Sequence, residues 1–181
     1  MDENYFLGQG KFTQRGKIVA RALENALTIT ERKTSLGKIS LWMQENLIHN
    51  SPKKMEEFRK RNASQIISSQ RFNGCSDYGI VFAVLSREAG IPTRYIETIE
   101  ESNLKSKNKF VDGHVFFDVF VNGEWKIYEP KEGFKPDYIL GKSRYIPIAK
   151  GLDFSNLLFN DKNISLDSLD KLRKARDNFK I

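Results

Sequence analysis

HVFFDVFVNGEWKIYEP (His114–Pro130) contains two strand-like runs joined by Asn122-Gly123. Two residues that tolerate positive φ, set between alternating apolar runs, are a strong short-range signal for a two-residue hairpin. The turn sets the register: Val121 opposes Glu124, Phe120 opposes Trp125, Asp118 opposes Ile127 and Phe116 opposes Glu129. Side chains alternate along a strand, so His114, Phe116 and Asp118 share a face with Ile127 and Glu129. His114 and Glu129 are then diagonal neighbours with Cβ atoms roughly 7–8 Å apart, a gap that a glutamate and an imidazole can close. Asp118 lies four residues along from His114, roughly 13 Å away at the strand rise, and is too far. Asp112 is a nearer rival, in a Gly-flanked bend.

Upstream of this hairpin the periodicity is helical. Ile18, Val19, Ala22, Leu23, Ala26 and Leu27 recur at helical spacing. A second helix is signalled by Thr34 or Ser35 as N-cap, followed by Ile39, Trp42, Met43 and Leu47. Ser51-Pro52 reads as the start of a third, with Met55 and Phe58 on one face. A fourth starts near Cys75; its run from Ile80 to Leu85 is apolar all round, which buries it at the domain centre, and Gly90 and Pro92 end it. TRYIETI (Thr93–Ile99) reads as a strand. The polar stretch Glu100–Gly113 reads as a loop that borders the cleft and moves more than the hairpin it precedes.

The composition narrows the function classes. The 181 residues fit one domain with a sizeable core, and 39% hydrophobic with 29% charged residues describes a globular chain. No stretch approaches the ~18 apolar residues of a membrane span, and the N-terminus has no apolar signal core, so the expected location is cytoplasmic. The net charge of +7 comes mostly from residues 1–70, which carry 12 Lys+Arg against 7 Asp+Glu. KKMEEFRKR (Lys53–Arg61) mixes signs as a solvated helix face does, and no nucleic-acid signature accompanies it, so nucleic acid is not an expected partner. A single cysteine excludes a disulfide framework and every CxxC pattern, and with two histidines beside it neither a metal site nor a cofactor is expected.

That cysteine stands where an Asn73-Gly74 turn drops into the apolar helix. A free thiol titrates near 8.5 and is mostly protonated at neutral pH; a helix N-terminus and a neighbouring imidazole stabilise the thiolate. A histidine can take the thiol proton and return it to a leaving amine, and a carboxylate on the far ring nitrogen fixes the tautomer and stabilises the imidazolium. The Cys75 backbone N–H, at a helix start, supplies one oxyanion donor. Cys75, His114 and Glu129 are the residue types for this chemistry, although spacing alone does not bring Cys75 to His114. The remaining candidates read as structural: His49 a surface or cap residue, Trp42 and Trp125 core, Arg94 an ion pair, Gln70 a helix end.

Several segments in this order resemble the transglutaminase-like superfamily, whose core has a papain-like cysteine-peptidase fold. The matching residues run from about 36 to 155. They are ISLWMQENL (Ile39–Leu47), NGCSDYGIVFAVLSREAGIPTRYIE (Asn73–Glu97), GHVFFDVFVNGEWKIYEP (Gly113–Pro130) and GLDFSNL (Gly151–Leu157). The resemblance implies Cys75 as nucleophile, His114 as general base and acid, and Glu129 as third member. Glu129 stands where the family usually has Asp, and Phe116 where an aromatic, usually Trp, follows the histidine. The expectation is an α+β fold, a helical N-terminal half with the nucleophile helix packed on an antiparallel sheet. A single domain is expected over 1–181, with a helical extension at 1–35, the core at 36–155 and a helical tail at 156–181. The implied function is cysteine-dependent acyl transfer at the amide of a peptide or protein, through a thioester and by hydrolysis. A non-catalytic interaction module with this fold and an amine-acceptor transglutaminase are the alternatives.

Overall fold

The structure is a computed structural model, and it describes residues 3–30, 32, 34–49, 57, 59–100, 113–135 and 145–154. Helix α1 (Lys17–Leu27) buries Val19, Ala22, Leu23 and Ala26 on one stripe. Ile18 and Leu27, which share the helical spacing, fall at the stripe's margin and are exposed. Helix α2 (Ser35–Asn46) starts at Thr34, whose Oγ1 accepts from the Gly37 amide at 3.1 Å and satisfies one of the unpaired first-turn N–H groups. It buries Leu36, Ile39, Trp42 and Met43. The helix expected from Ser51 lies outside the described residues.

Several short elements before Cys75 were not anticipated. Strand β1 (Ile48–His49) follows α2, and helix α3 (Ala63–Ser69) carries a full capping box, in which Asn62 and Gln65 each cap the other's backbone N–H. Strand β2 (Arg71–Phe72) then pairs in parallel with β1, Ile48 against Arg71 and His49 against Phe72. Gly74 follows at φ 90°, a conformation that favours glycine, and helix α4 (Cys75–Glu88) begins with Cys75. Every residue of α4 from Ser76 to Arg87 is buried, as its all-round apolar run requires.

The other layer is an antiparallel sheet in the order β6-β5-β4-β3-β7, made of β3 (Thr93–Glu100), β4 (Val115–Val121), β5 (Glu124–Glu129), β6 (Gly133–Phe134) and β7 (Tyr145–Gly151). The β4–β5 hairpin has the register read from its turn, including Asp118 against Ile127 and Phe120 against Trp125, with Asn122 at φ 55° and Gly123 at φ 81°. Val115, Phe117 and Val119 point toward the helices, while Phe116 packs with Ile96 and Ile127 on the other face. The aromatic core joins the layers: Phe82 of α4 lies 4.6 Å from the Phe117 ring and stacks on Tyr128 at 5.3 Å. The mixed architecture is the expected α+β arrangement, with α4 against the antiparallel sheet. Among the described residues no helix is long and apolar enough to cross a membrane.

Gly79 sets how closely the layers meet. A Cβ built there would lie 2.9 Å from Val115 Cγ1 and 3.0 Å from Tyr95 Cε2. Glycine inside a helix costs up to about 1 kcal/mol relative to alanine. Here it lets the first turns of α4 approach the start of β4, where His114 stands.

Candidate active site

Cys75 is the first residue of α4, so its backbone N–H is among those that a helix leaves without an intrahelical partner. The loop before it is fixed from both sides. Asp77, in the first turn and fully buried, accepts from the Asn73 amide at 3.0 Å and from Arg61 at 2.7 Å. Burial pushes the Asp77 carboxyl up, and the two hydrogen bonds oppose that shift by stabilising the charge. The Asn73-Gly74 turn is thereby held in one geometry, and the thiol with it.

His114 lies immediately before β4. Its backbone is clamped to β3: the Thr98 amide and the Thr98 hydroxyl both donate to the His114 carbonyl at 2.9 Å, and the His114 amide donates to Thr98 Oγ1 at 3.2 Å. Edge-on contact with Phe116, centroids 4.8 Å apart, restrains the ring. Glu129, the last residue of β5, is buried; its Oε2 accepts from the Lys131 amide at 2.8 Å, and its Oε1 lies 3.5 Å from His114 Nε2. The hairpin therefore closes the diagonal gap as its register predicts. Burial by itself would lower the His114 pKa, but hydrogen bonding and negative charge from Cys75 and Glu129 reverse the shift and raise it to about 9. Cys75, His114 and Glu129 thus line one cleft of about 270 Å³.

The sequence did not announce other parts of this cleft. His49, read as a surface or cap residue, is exposed but borders the same cleft, its ring 5.1 Å from Phe72. The parallel β1–β2 pair carries it there, and two-residue strands leave no periodicity to detect. Lys131 also lines the cleft, its ammonium 5.9 Å from the Phe72 ring centroid and 5.5 Å from that of Tyr78. Outside the cleft lining, Arg59 at φ 58° pairs with buried Glu97, which also accepts from the Tyr95 hydroxyl at 3.2 Å. Burial drives the Glu97 carboxyl upward against the attraction of Arg59. Arg59 and Cys75 are near enough for charge on one to act on the other. The 38-residue separation of Arg59 from Glu97 hides this pair from any local reading.

The remaining candidates are elsewhere. Gln70 terminates α3 in the left-handed conformation and does not line the cleft. Arg94 contacts Asp118 at 3.4 Å and lies 3.5 Å from the centroid of Trp125, a structural ion pair stacked on an aromatic. Trp42 is in the core, whereas Trp125 is only half-buried beneath Arg94. Asp112 lies outside the described residues. Among the described residues no group of three His, Cys, Asp or Glu is placed to hold a metal ion.

Comparison with known proteins agrees with this architecture. A "putative cysteine protease" from Cytophaga hutchinsonii superposes with a TM-score of 0.63 at 20% identity, over 89% of this chain and 53% of that one. The chain thus spans about half the length of that neighbour, and the likeness concerns the fold. A "putative protease" from Parabacteroides distasonis aligns at 12% identity and a TM-score of 0.43, over 74% of this chain and 30% of that one. No curated protein matches the sequence. The model of the transglutaminase-like superfamily matches residues 19–130, more than half of the chain. The protein belongs to the transglutaminase-like superfamily and has its papain-like core.

Proposed function

We propose that the protein is a cysteine-dependent amidase that attacks a peptide or isopeptide carbonyl through a thioester and completes the reaction by hydrolysis. The observation that carries the reading is one cleft in which a helix-initial thiol, an imidazole and a buried carboxylate meet in series. Glu129 holds Nε2 of His114, which leaves Nδ1 as the ring nitrogen for the Cys75 thiol. The raised histidine pKa keeps the ring protonated through neutral pH, the state that pairs with a thiolate. Arg59 brings positive charge within electrostatic reach of the thiol.

The steps follow from these positions. The sulfur attacks the carbonyl carbon, and the Cys75 backbone N–H stabilises the oxyanion that forms. The amine leaves with the proton from His114, and the acyl group remains on sulfur as a thioester. His114 then deprotonates a water, which displaces the thiolate and releases the acid. The test is to incubate the protein with a peptide-amide library, quench in acid and map mass added at Cys75. An acyl adduct at Cys75, with free acid as product, is expected. An acyl product bearing an added amine would assign an amine-acceptor transglutaminase instead. No adduct on any amide would assign a non-catalytic module.

A further inference from the structure

A second hollow, of about 140 Å³, adjoins the cleft and shares its Pro130 and Lys131 wall. It lies between α2 and the segment joining β5 to β6, and Arg32, Ser40, Gln44, Tyr128, Lys131 and Glu132 line it. Ser40 and Tyr128 are each 5% exposed, and their hydroxyls share one hydrogen bond of 3.1 Å. A hydroxyl pair joined in this way uses one O–H proton and keeps the other. Among the described residues nothing accepts that second proton. Both residues line the hollow, so an occupant that supplies an acceptor would complete the pair.

The charges agree. Neither the Arg32 guanidinium nor the Lys131 ammonium is ion-paired with a carboxylate among the described residues. The acid on the wall, Glu132, is held by Lys135 at 2.6 Å. Arg32 lines the hollow and is close enough to act electrostatically on the Tyr128 hydroxyl. Gly37 also lines the hollow, and a Cβ added there would come within 3.2 Å of Arg32 Cβ. These two cations, the spare O–H and the Gln44 amide form a set of donors for a small anionic group.

We propose that this hollow is a carboxylate-binding subsite of the cleft, seating an acidic side chain or C-terminal carboxylate of the peptide whose amide lies at Cys75. The assignment rests on the amidase reading and names its substrate class: peptides with a carboxylate close to the scissile amide. Lys131, common to both hollows, links the two.

Binding to the full chain carrying Cys75→Ser tests the subsite without requiring turnover. Calorimetry would use pentapeptide libraries with Glu or Gln fixed at each position, each with a free or an amidated C-terminus. The Glu arm and the free-terminus arm separate the two sources of carboxylate. At least one arm should bind about tenfold or more tightly than its neutral counterpart. That ratio should collapse toward one in Arg32→Gln and in Lys131→Gln, and persist in part in Arg32→Lys. A ratio of one in the parent, an unchanged ratio in Arg32→Gln, or inorganic phosphate binding as tightly as the acidic peptides would overturn the subsite. Turnover by the wild type with equal rates on Glu and Gln peptides would remove the subsite and leave the amidase standing. Carboxylate-selective binding without acylation of Cys75 would support the subsite and remove the amidase.

Discussion

Asp118 and Glu129 are two buried carboxylates on the same face of one hairpin, and their surroundings give them different work. Asp118 Oδ2 receives Lys150 at 2.8 Å and Arg94 at 3.4 Å, so its charge is shared between a lysine and an arginine. Glu129 spends one oxygen on the Lys131 backbone amide and turns the other toward His114. One end of the hairpin is locked, while at the other the charge is left to a partner whose protonation can change. A carboxylate's role here is set by what faces it, and the register decides which end faces Cys75.

The largest expected difference is between these two acids. Glu129→Gln should fold and yet slow amide turnover on the order of 10³-fold or more, because the amide cannot stabilise the imidazolium and can select the wrong tautomer. Glu129→Asp keeps the charge and should retain more activity than Gln. Asp118→Asn should instead cost about 1–2 kcal/mol of stability, with turnover changed by less than about threefold, since the partly exposed Arg94 and Lys150 lose the charge of their shared acceptor. Denaturant titration beside steady-state kinetics separates the effects; equal losses of turnover in both variants would erase the distinction. Asp112→Asn, the rival carboxylate, should matter little.

A smaller effect tests the spacing that joins the layers. Gly79→Ala gains helix propensity of up to about 1 kcal/mol, but its Cβ must enter space held by Val115 and Tyr95. Overpacking of this kind costs about 1–3 kcal/mol, so net destabilisation is expected, with slower alkylation of Cys75 as α4 moves off the sheet. A stabilised variant with unchanged alkylation would show that the close approach sets nothing at the site.

The smallest is a pH dependence. The His114 pKa is raised from 6.5 to about 9 in the folded protein, so the folded state holds this proton more tightly. Its stabilising contribution is fully present below about pH 6.5 and is lost as pH rises to about 9. The stability advantage of wild type over His114→Gln should therefore shrink across that window. An advantage that grows with pH would mean the ring is held neutral.

Much of this arrangement was legible because its signals are local. Asn122-Gly123 specified the hairpin register, and through it the placement of Glu129 beside His114. The unbroken apolar run in α4 marked the central helix, and the Asn73-Gly74 turn marked its start. Missed elements depend on contacts distant in sequence or on short segments. Helix α3 is seven residues in a Ser- and Asn-rich stretch, although Asn62 with Gln65 was a readable capping signal. Strand β7 contains Pro147 and pairs at the sheet edge, where alternation is weakly imposed. His49 comes to the cleft through β1–β2 pairing, and Arg59 comes near the thiol where it pairs with Glu97.

The account turns on whether His114 activates Cys75, and alkylation measures that directly. At pH 7, iodoacetamide should label Cys75 of the wild type about tenfold or more faster than it labels His114→Ala, with both proteins folded by circular dichroism. Equal rates in the two proteins, or slow labelling in both, would contradict the account and leave Cys75 as a packing residue at the head of α4.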